Sequence, residues 1–191
     1  MKARFILASS SPRRKQLLDA LGAAYTVRAA EVDESPLQGE DPSLLALRLA
    51  GLKATAVQAL ADGLPVLAAD TVVALDGELL AKPADAAQNE EFLARLSGRE
   101  HQVITGHVLL GADGRSVTAA PQTTVRFRHL PAAEIRRYAA TGEGLDKAGG
   151  YGLQGLGGAL VDTVTGCHTN VIGLSLPAVI RLAAALGVPL A

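Results

Sequence analysis

Apolar residues recur along this chain in two rhythms, short continuous runs and stripes of helical period, and the two alternate from one end to the other. Residues 5–8 are a compact apolar run, so a short buried strand is expected there. Ser10-Ser11-Pro12 follows, where a hydroxyl caps a helix and proline suits its first turn. Leu17, Leu18 and Leu21 then fall at helical spacing, Gly22 closes the helix, and 25–30 reads as extended. Asp41-Pro42 repeats the capping signal ahead of a long leucine- and alanine-rich helix to Ala61, which Asp62-Gly63-Leu64-Pro65 breaks. Residues 66–75 are apolar and β-branched. Asp76-Gly77 is a two-residue hairpin turn, so 78–82 should return antiparallel as far as Pro83. An amphipathic helix is expected over 85–97, strands over 101–110 and 116–129, and a helix over 131–141. A glycine-dense irregular stretch spans 142–158, followed by short strands at 159–163 and 170–172 and a helix over 177–186. Interleaved helices and strands make the class mixed α/β. With no internal repeat or linker, one domain over 1–191, with room for two lobes, is the expectation.

Composition narrows what such a fold is for. Of 191 residues 49% are hydrophobic and the formal net charge is -1, so the chain can build a core and disorder is excluded. That balance lacks the basic field of a dedicated nucleic-acid binder, and stacking surfaces are scarce, with no Trp, three Tyr and three Phe. Cys167 is the single cysteine, which forbids an internal disulfide and fits a reducing compartment. The apolar start at 5–8 is too short for a signal peptide, and no stretch approaches the ~20 apolar residues of a membrane span. A cytoplasmic protein with no membrane partner is expected.

Three constellations carry candidate chemistry. Ser9-Ser10-Ser11-Pro12-Arg13-Arg14 lies at a strand-to-helix junction, where free N–H groups, the helix dipole and hydroxyls favour an anion. Arg13 and Arg14 project about 100° apart and can reach a polyphosphate from different sides; a capped surface helix with solvated arginines is the plainer alternative. The second is Asp70-Thr71 with Lys82. Counting from the Asp76-Gly77 turn sets Thr71 opposite Lys82, with Asp70 one step further on. A carboxylate inside an apolar strand is costly without a task or a partner, so Asp70 is either a metal ligand or general base, or a structural partner of Lys82. The third is the glycine-rich run from Lys147 to Gly155, in which Gln154 presents an amide able to pair with a base edge. Its G-x-G-x-x-G spacing follows a helix rather than a strand, which argues against a dinucleotide fingerprint. Glu31, Asp33 and Glu34 form a small acidic cluster from which Glu34 can help hold a cation. His101 and His107 share a strand face without a third ligand, and Cys167-His168, as adjacent strand residues, would point apart.

Taken together these segments resemble the Maf family of nucleoside-triphosphate pyrophosphatases. The likeness rests on Leu7-Ala8-Ser9-Ser10-Ser11-Pro12-Arg13-Arg14, Asp70-Thr71-Val72-Val73 through Lys82-Pro83, and Ser97-Gly98-Arg99-Glu100-His101 with Thr105-Gly106. Asp146-Lys147-Ala148-Gly149 through Gln154-Gly155, and Asn170-Val171-Ile172-Gly173-Leu174, complete it in the family's order. The resemblance implies two lobes around a central cleft, an elongated mixed sheet flanked by helices, and commonly a homodimer. It implies cleavage of a nucleoside triphosphate between the α and β phosphates with a divalent cation, Mg²⁺ or Mn²⁺. Asp-Thr at Asp70-Thr71 and Tyr-Gly-x-Gln-Gly at 151–155 are similar to the branch acting on dTTP and UTP, and by extension CTP or modified pyrimidine nucleotides. By that likeness Asp70 is the proton acceptor, Arg13, Thr71 and Gln154 mark substrate choice, and Ser9, Arg14, Lys53 and Lys82 line the phosphates. Asp70 and Glu34 are the expected metal ligands. Two positions depart from the pattern: Ala81 where a glycine often precedes the lysine, and His168 where an aromatic is common.

Mechanistically, fixed cations would stabilise charge developing on phosphoryl oxygens, while Asp70 orients and deprotonates the attacking water. One rival is preference for 7-methyl-GTP or another modified nucleotide on the same fold. Another is a non-catalytic nucleotide- or nucleic-acid-binding regulator of cell division. Asp70 argues against the latter, since a carboxylate beside phosphates gives a pure anion binder nothing; a stable nucleic-acid complex is therefore not expected.

Overall fold

A computed structural model describes residues 2–29 and 31–191 of the chain. Its strands are β1 (Phe5–Leu7), β2 (Tyr25–Val27), β3 (Val66–Leu75), β4 (Glu78–Leu79), β5 (Glu100–Leu110), β6 (Ser116–Ala119), β7 (Gln122–Phe127) and β8 (Val161–Thr165). Among the described residues its α-helices are α1 (Pro12–Ala20), α2 (Pro42–Gln58), α3 (Ala86–Leu96), α4 (Ala132–Ala139), α5 (His168–Ile172) and α6 (Leu176–Leu186). The strands form a mixed sheet of order β2-β1-β3-β5-β7-β8, with β4 on β3 and β6 on β5. The chain divides into two compact units, the first holding the stretch to Asp70, Thr105–Pro121 and Gly173–Ala191, the second Thr71–Ile104 and Gln122–Ile172.

In the first unit β1 pairs parallel with both β2 and β3. Parallel strands need a crossover, and the two crossovers here are α1 and α2. The helices begin where the sequence places caps. Ser11 Oγ accepts from the Arg14 N–H at 3.5 Å, and Asp41 Oδ1 accepts from the Ser43 and Leu44 N–H groups at 2.8 and 3.2 Å. Ser175 caps α6, and Gly187, in the left-handed region at φ 65°, ends it. Ile6, Ala8, Ala50, Ala54, Val57, Val66, Ala68 and Val108 make the core. The alanines on α2 let the helix lie close to the sheet. At Gly106 on β5 a Cβ would sit 2.3 Å from the carbonyl carbon and oxygen of Ala46.

In the second unit β5 pairs antiparallel with β7, and β7 with β8. The Asp76-Gly77 turn sets Leu75 opposite Glu78 as counted from the sequence. Val73, Leu75, Leu80, Phe92, Leu93, Leu96, Phe127 and Tyr151 fill the core beneath α3 and α4.

Four expectations differ in detail. Strand β4 stops at Leu79, so the ladder does not reach Thr71 and Lys82; the Gly149 N–H instead donates to the carbonyls of Leu80 and Ala81 at 2.9 and 3.2 Å. The strand expected over 116–129 divides at Pro121, which has no N–H to give a ladder. Residues 170–172 are helical rather than extended, because Asn170 turns inward: its N–H donates to the Cys167 carbonyl at 3.1 Å and its Nδ2 to the Val103 carbonyl at 2.9 Å. Cys167 and His168 thus lie at a helix start, not on a strand. The expected extension of β2 to Ala30 ends on a residue outside the described ones.

Candidate functional site

The first unit brings together the most unusual charged group of the chain. Asp70, at the end of the first unit's share of β3, is 8% exposed, and its carboxylate is bonded by the Lys53 ammonium. Lys53 is equally buried, at 9%, and its Nζ also lies 2.6 Å from Glu34 Oε1. Lys53 sits on the buried stripe of α2 with Leu45, Ala46, Leu49, Ala50, Ala54 and Val57. A lysine in an apolar stripe must carry its charge to a partner. Asp70 therefore has a partner, as a strand carboxylate requires, and within the first unit it is Lys53. Helix α2 folds back over β3, a contact that register counting along one hairpin cannot reveal. Lys53, expected to line the phosphates, thus also bridges the two carboxylates.

The β1–α1 junction forms the adjoining feature. Ser9, buried after β1, accepts through Oγ from the Ser11 N–H at 3.2 Å and from Arg14 Nη1 at 3.0 Å. Arg14 Nε donates to the Gly173 carbonyl at 2.8 Å. Burial pushes the Arg14 guanidinium below its ordinary value; Asp70 and Glu34 oppose this electrostatically and Arg13 adds to it. Arg14, Arg13, Asp70 and Glu34 thus share one electrostatic neighbourhood. The solvated-arginine alternative does not describe Arg14, which is anchored on both sides. Arg13 is half-buried at the helix start.

Glu34 and Asp70 carry hard oxygen ligands of the kind Mg²⁺ or Mn²⁺ selects, and both meet at the Lys53 ammonium. Among the described residues no group of three or more His, Cys, Asp or Glu is placed to hold a metal ion. A cation held by these two carboxylates would complete its shell with phosphate and water. His107, on the same unit, accepts the Ser175 N–H on Nε2 at 2.9 Å, and its pKa falls to about 4, chiefly through burial. It holds the start of α6.

Thr71, Lys82 and Gln154 belong to the second unit. Thr71 is half-buried and Lys82 exposed. Gln154 is exposed at the tip of the glycine-rich segment. That segment is built around groups the sequence did not single out. Glu143 Oε2 accepts the Leu156 N–H at 2.8 Å and Oε1 the Gly157 N–H at 2.9 Å. Asn89 Nδ2 donates to the Gly150 carbonyl at 2.7 Å. His101 is a core residue here, its Nε2 2.7 Å from Tyr151 Oη and its ring edge-on to Phe127 and Tyr151; burial lowers its pKa to about 4.

A serine-rich helix start and a buried carboxylate that shares one lysine with the exposed Glu34 are the polar features of the first unit in this mixed α/β protein. Residues 4–186 match the family model described as Maf-like protein, and the chain belongs to that family. It is 50% identical to a dTTP/UTP pyrophosphatase of Deinococcus radiodurans over 97% of this chain and 94% of that one. A protein of the same name from Symbiobacterium thermophilum is 46% identical, over 98% and 96% of the two chains. Another from Anaeromyxobacter sp. strain Fw109-5 is 48% identical, over 100% and 93%. Among the described residues no helix is long and apolar enough to cross a membrane.

Proposed function

We propose that this chain is a cytoplasmic nucleoside triphosphate pyrophosphatase, a single domain over 1–191 working as a homodimer. It hydrolyses dTTP and UTP to the monophosphate and pyrophosphate. The observation that carries the reading is Asp70, a carboxylate 8% exposed in an apolar strand, whose ammonium partner is also bonded to Glu34. Full-length likeness to relatives named dTTP/UTP pyrophosphatase supports the substrate.

In this reading Asp70 accepts a proton from the attacking water, whose oxygen joins phosphorus as the bridging P–O bond breaks and pyrophosphate leaves. Base catalysis of this kind contributes about 10²–10⁴-fold. Lys53 holds the Asp70 carboxylate in place and offsets its charge. The Ser9 hydroxyl, the N–H groups opening α1 and the guanidinium of Arg13 receive phosphate oxygens, with Arg14 fixing Ser9 from behind. Lys82 adds a second ammonium. Asp70 and Glu34 would hold the divalent cation, which when bound neutralises developing phosphoryl charge. Arg13, Thr71, which follows Asp70 directly in the chain, and Gln154 select the nucleotide.

A panel of canonical and modified nucleoside triphosphates, assayed for pyrophosphate with and without Mg²⁺ or Mn²⁺, tests this. Cation-dependent release from dTTP and UTP well above GTP and 7-methyl-GTP is the expected result. Release of inorganic phosphate alone, or no turnover of any nucleotide, would overturn it.

A further inference from the structure

The tip of the glycine-rich segment, which presents the exposed Gln154 amide, is gathered by one carboxylate and one tyrosine. Glu143 lies just after α4, which carries Tyr138. Its two oxygens take the N–H groups of Leu156 and Gly157 at 2.8 and 2.9 Å, and Oε1 also accepts the Tyr138 hydroxyl at 3.0 Å. Tyr138 Oη in turn accepts the Gly152 N–H at 3.2 Å. The chain is therefore clamped at Gly152 on one side of Gln154 and at Leu156 and Gly157 on the other. Only Leu153, Gln154 and Gly155 lie between. The packing is close enough to require glycine: a Cβ at Gly155 would sit 2.4 Å from Glu143 Oε2, and one at Gly157 would sit 2.8 Å from Tyr138 Oη. Burial alone would raise the Glu143 carboxyl, but the Gly157 and Leu156 N–H groups, Tyr138 and Lys147 outweigh it and hold it below the usual carboxylate range. A carboxylate, which only accepts, suits three converging donors; an amide would set its own NH₂ against one of them.

We infer that Glu143 is a positioning residue for nucleotide choice: with Tyr138 it fixes the three-residue tip so that the Gln154 amide meets the base at one height and angle. The inference rests on the proposed reading of Gln154 as a base-contacting residue and names what holds it there. Glu143 touches neither substrate nor reacting atoms; its effect passes through Gln154. Loosening the clamp lets the amide sample positions that no longer favour a pyrimidine edge, so discrimination falls while the chemical step persists.

The test is a cycle of Glu143→Gln, Gln154→Ala and the double variant, reading kcat/KM for dTTP and GTP and hydrogen exchange at residues 152–157. Glu143→Gln is expected to speed exchange at Leu156 and Gly157 and to lower the dTTP-to-GTP ratio roughly tenfold, chiefly through KM for dTTP. In the Gln154→Ala background the same change should move the ratio less than about twofold, the non-additivity of two groups acting in series. If Glu143→Gln does not fold, Tyr138→Phe carries the same cycle, since it removes one clamp and keeps the carboxylate. Equal effects with and without Gln154, or an equal loss of kcat on both nucleotides, would overturn the inference and leave Glu143 a structural group. If Gln154→Ala shifts the ratio and Glu143→Gln does not, this inference alone falls. If Gln154→Ala itself leaves the ratio unchanged, the reading of Gln154 falls and the positioning role falls with it.

Discussion

Adding one methyl group at Gly106 should separate the helix that carries Lys53 from the sheet that carries Asp70. A Cβ there meets backbone, not a flexible side chain: the Ala46 carbonyl carbon and oxygen at 2.3 Å and the Leu47 nitrogen at 2.6 Å. Comfortable separations are roughly 3.5 Å, so helix and strand must part by about 1 Å. Overpacking of this kind costs about 1–3 kcal/mol. The smaller conformational freedom of alanine in the unfolded chain returns about 0.4–1 kcal/mol, so a clash with rigid backbone costing about 2–3 kcal/mol leaves a net destabilisation of about 1–2.6 kcal/mol. For a chain of this size that lowers Tm by about 2–10 °C. Lys53 lies two turns beyond Ala46 on the same buried stripe, so the displacement reaches its contact with Asp70. Misplacement on that scale should lower kcat at least about tenfold. Gly106→Ala should therefore show both effects in a thermal melt and a pyrophosphate assay. A variant melting within about 1 °C of the parent and turning over normally would refute the close approach of α2 to β5 and its link to the Lys53–Asp70 pair.

Other outcomes follow from groups already placed. Asp70→Asn should fold, since Lys53 keeps Glu34, but lose about 10²–10⁴-fold in kcat; turnover within a few-fold of the parent would remove Asp70 as the base. Exchanging Thr71 or Gln154 should change the dTTP-to-GTP ratio of kcat/KM more than its sum, and equal losses on both nucleotides would count against selection by either residue. Burial holds His101 and His107 neutral with pKa values of about 4, against an ordinary 6.5. Their folded values are depressed, so stability is full above about pH 6.5 and is lost as pH falls towards 4, by up to ~3 kcal/mol for each ring. Urea midpoints should decline over that interval; a flat profile from pH 7 to 4 would show that neither ring is buried neutral. Chelating the divalent cation should stop turnover while shifting Tm little, because Lys53 already neutralises one of the two carboxylates; unfolding on chelation would mark the cation as structural.

What the sequence revealed and what it hid divide along a physical line. Caps, the Asp76-Gly77 turn and the long apolar strand were legible because each is set by neighbours in the chain, and Ser11, Asp41 and β3 fall where local chemistry puts them. The partner of Asp70 was not, because Lys53 arrives from a crossover helix 17 residues away. A signal did exist in Lys53 itself: it interrupts the run of Ala46, Leu49, Ala50, Ala54 and Val57, and a charge on the buried side of a helix asks what it meets. Asn170 misled in the opposite direction. Flanked by Val171 and Ile172 it reads as strand, yet its Nδ2 donates inward to the Val103 carbonyl and Thr123 Oγ1, and that inward bonding favours a helical turn. Glu143 and Tyr138 were silent, since nothing in their spacing from Gln154 announces that one acid gathers the N–H groups of the following turn.

The crowding of Gly155 and Gly157 against that acid also limits how this enzyme can be altered. Side chains placed at either glycine collide with the carboxylate or its tyrosine, so a library that randomises the tip alone will return mostly misfolded or inactive clones. Engineering a different nucleotide preference therefore means redesigning Tyr138, Glu143 and the glycines of 152–157 together rather than the tip alone.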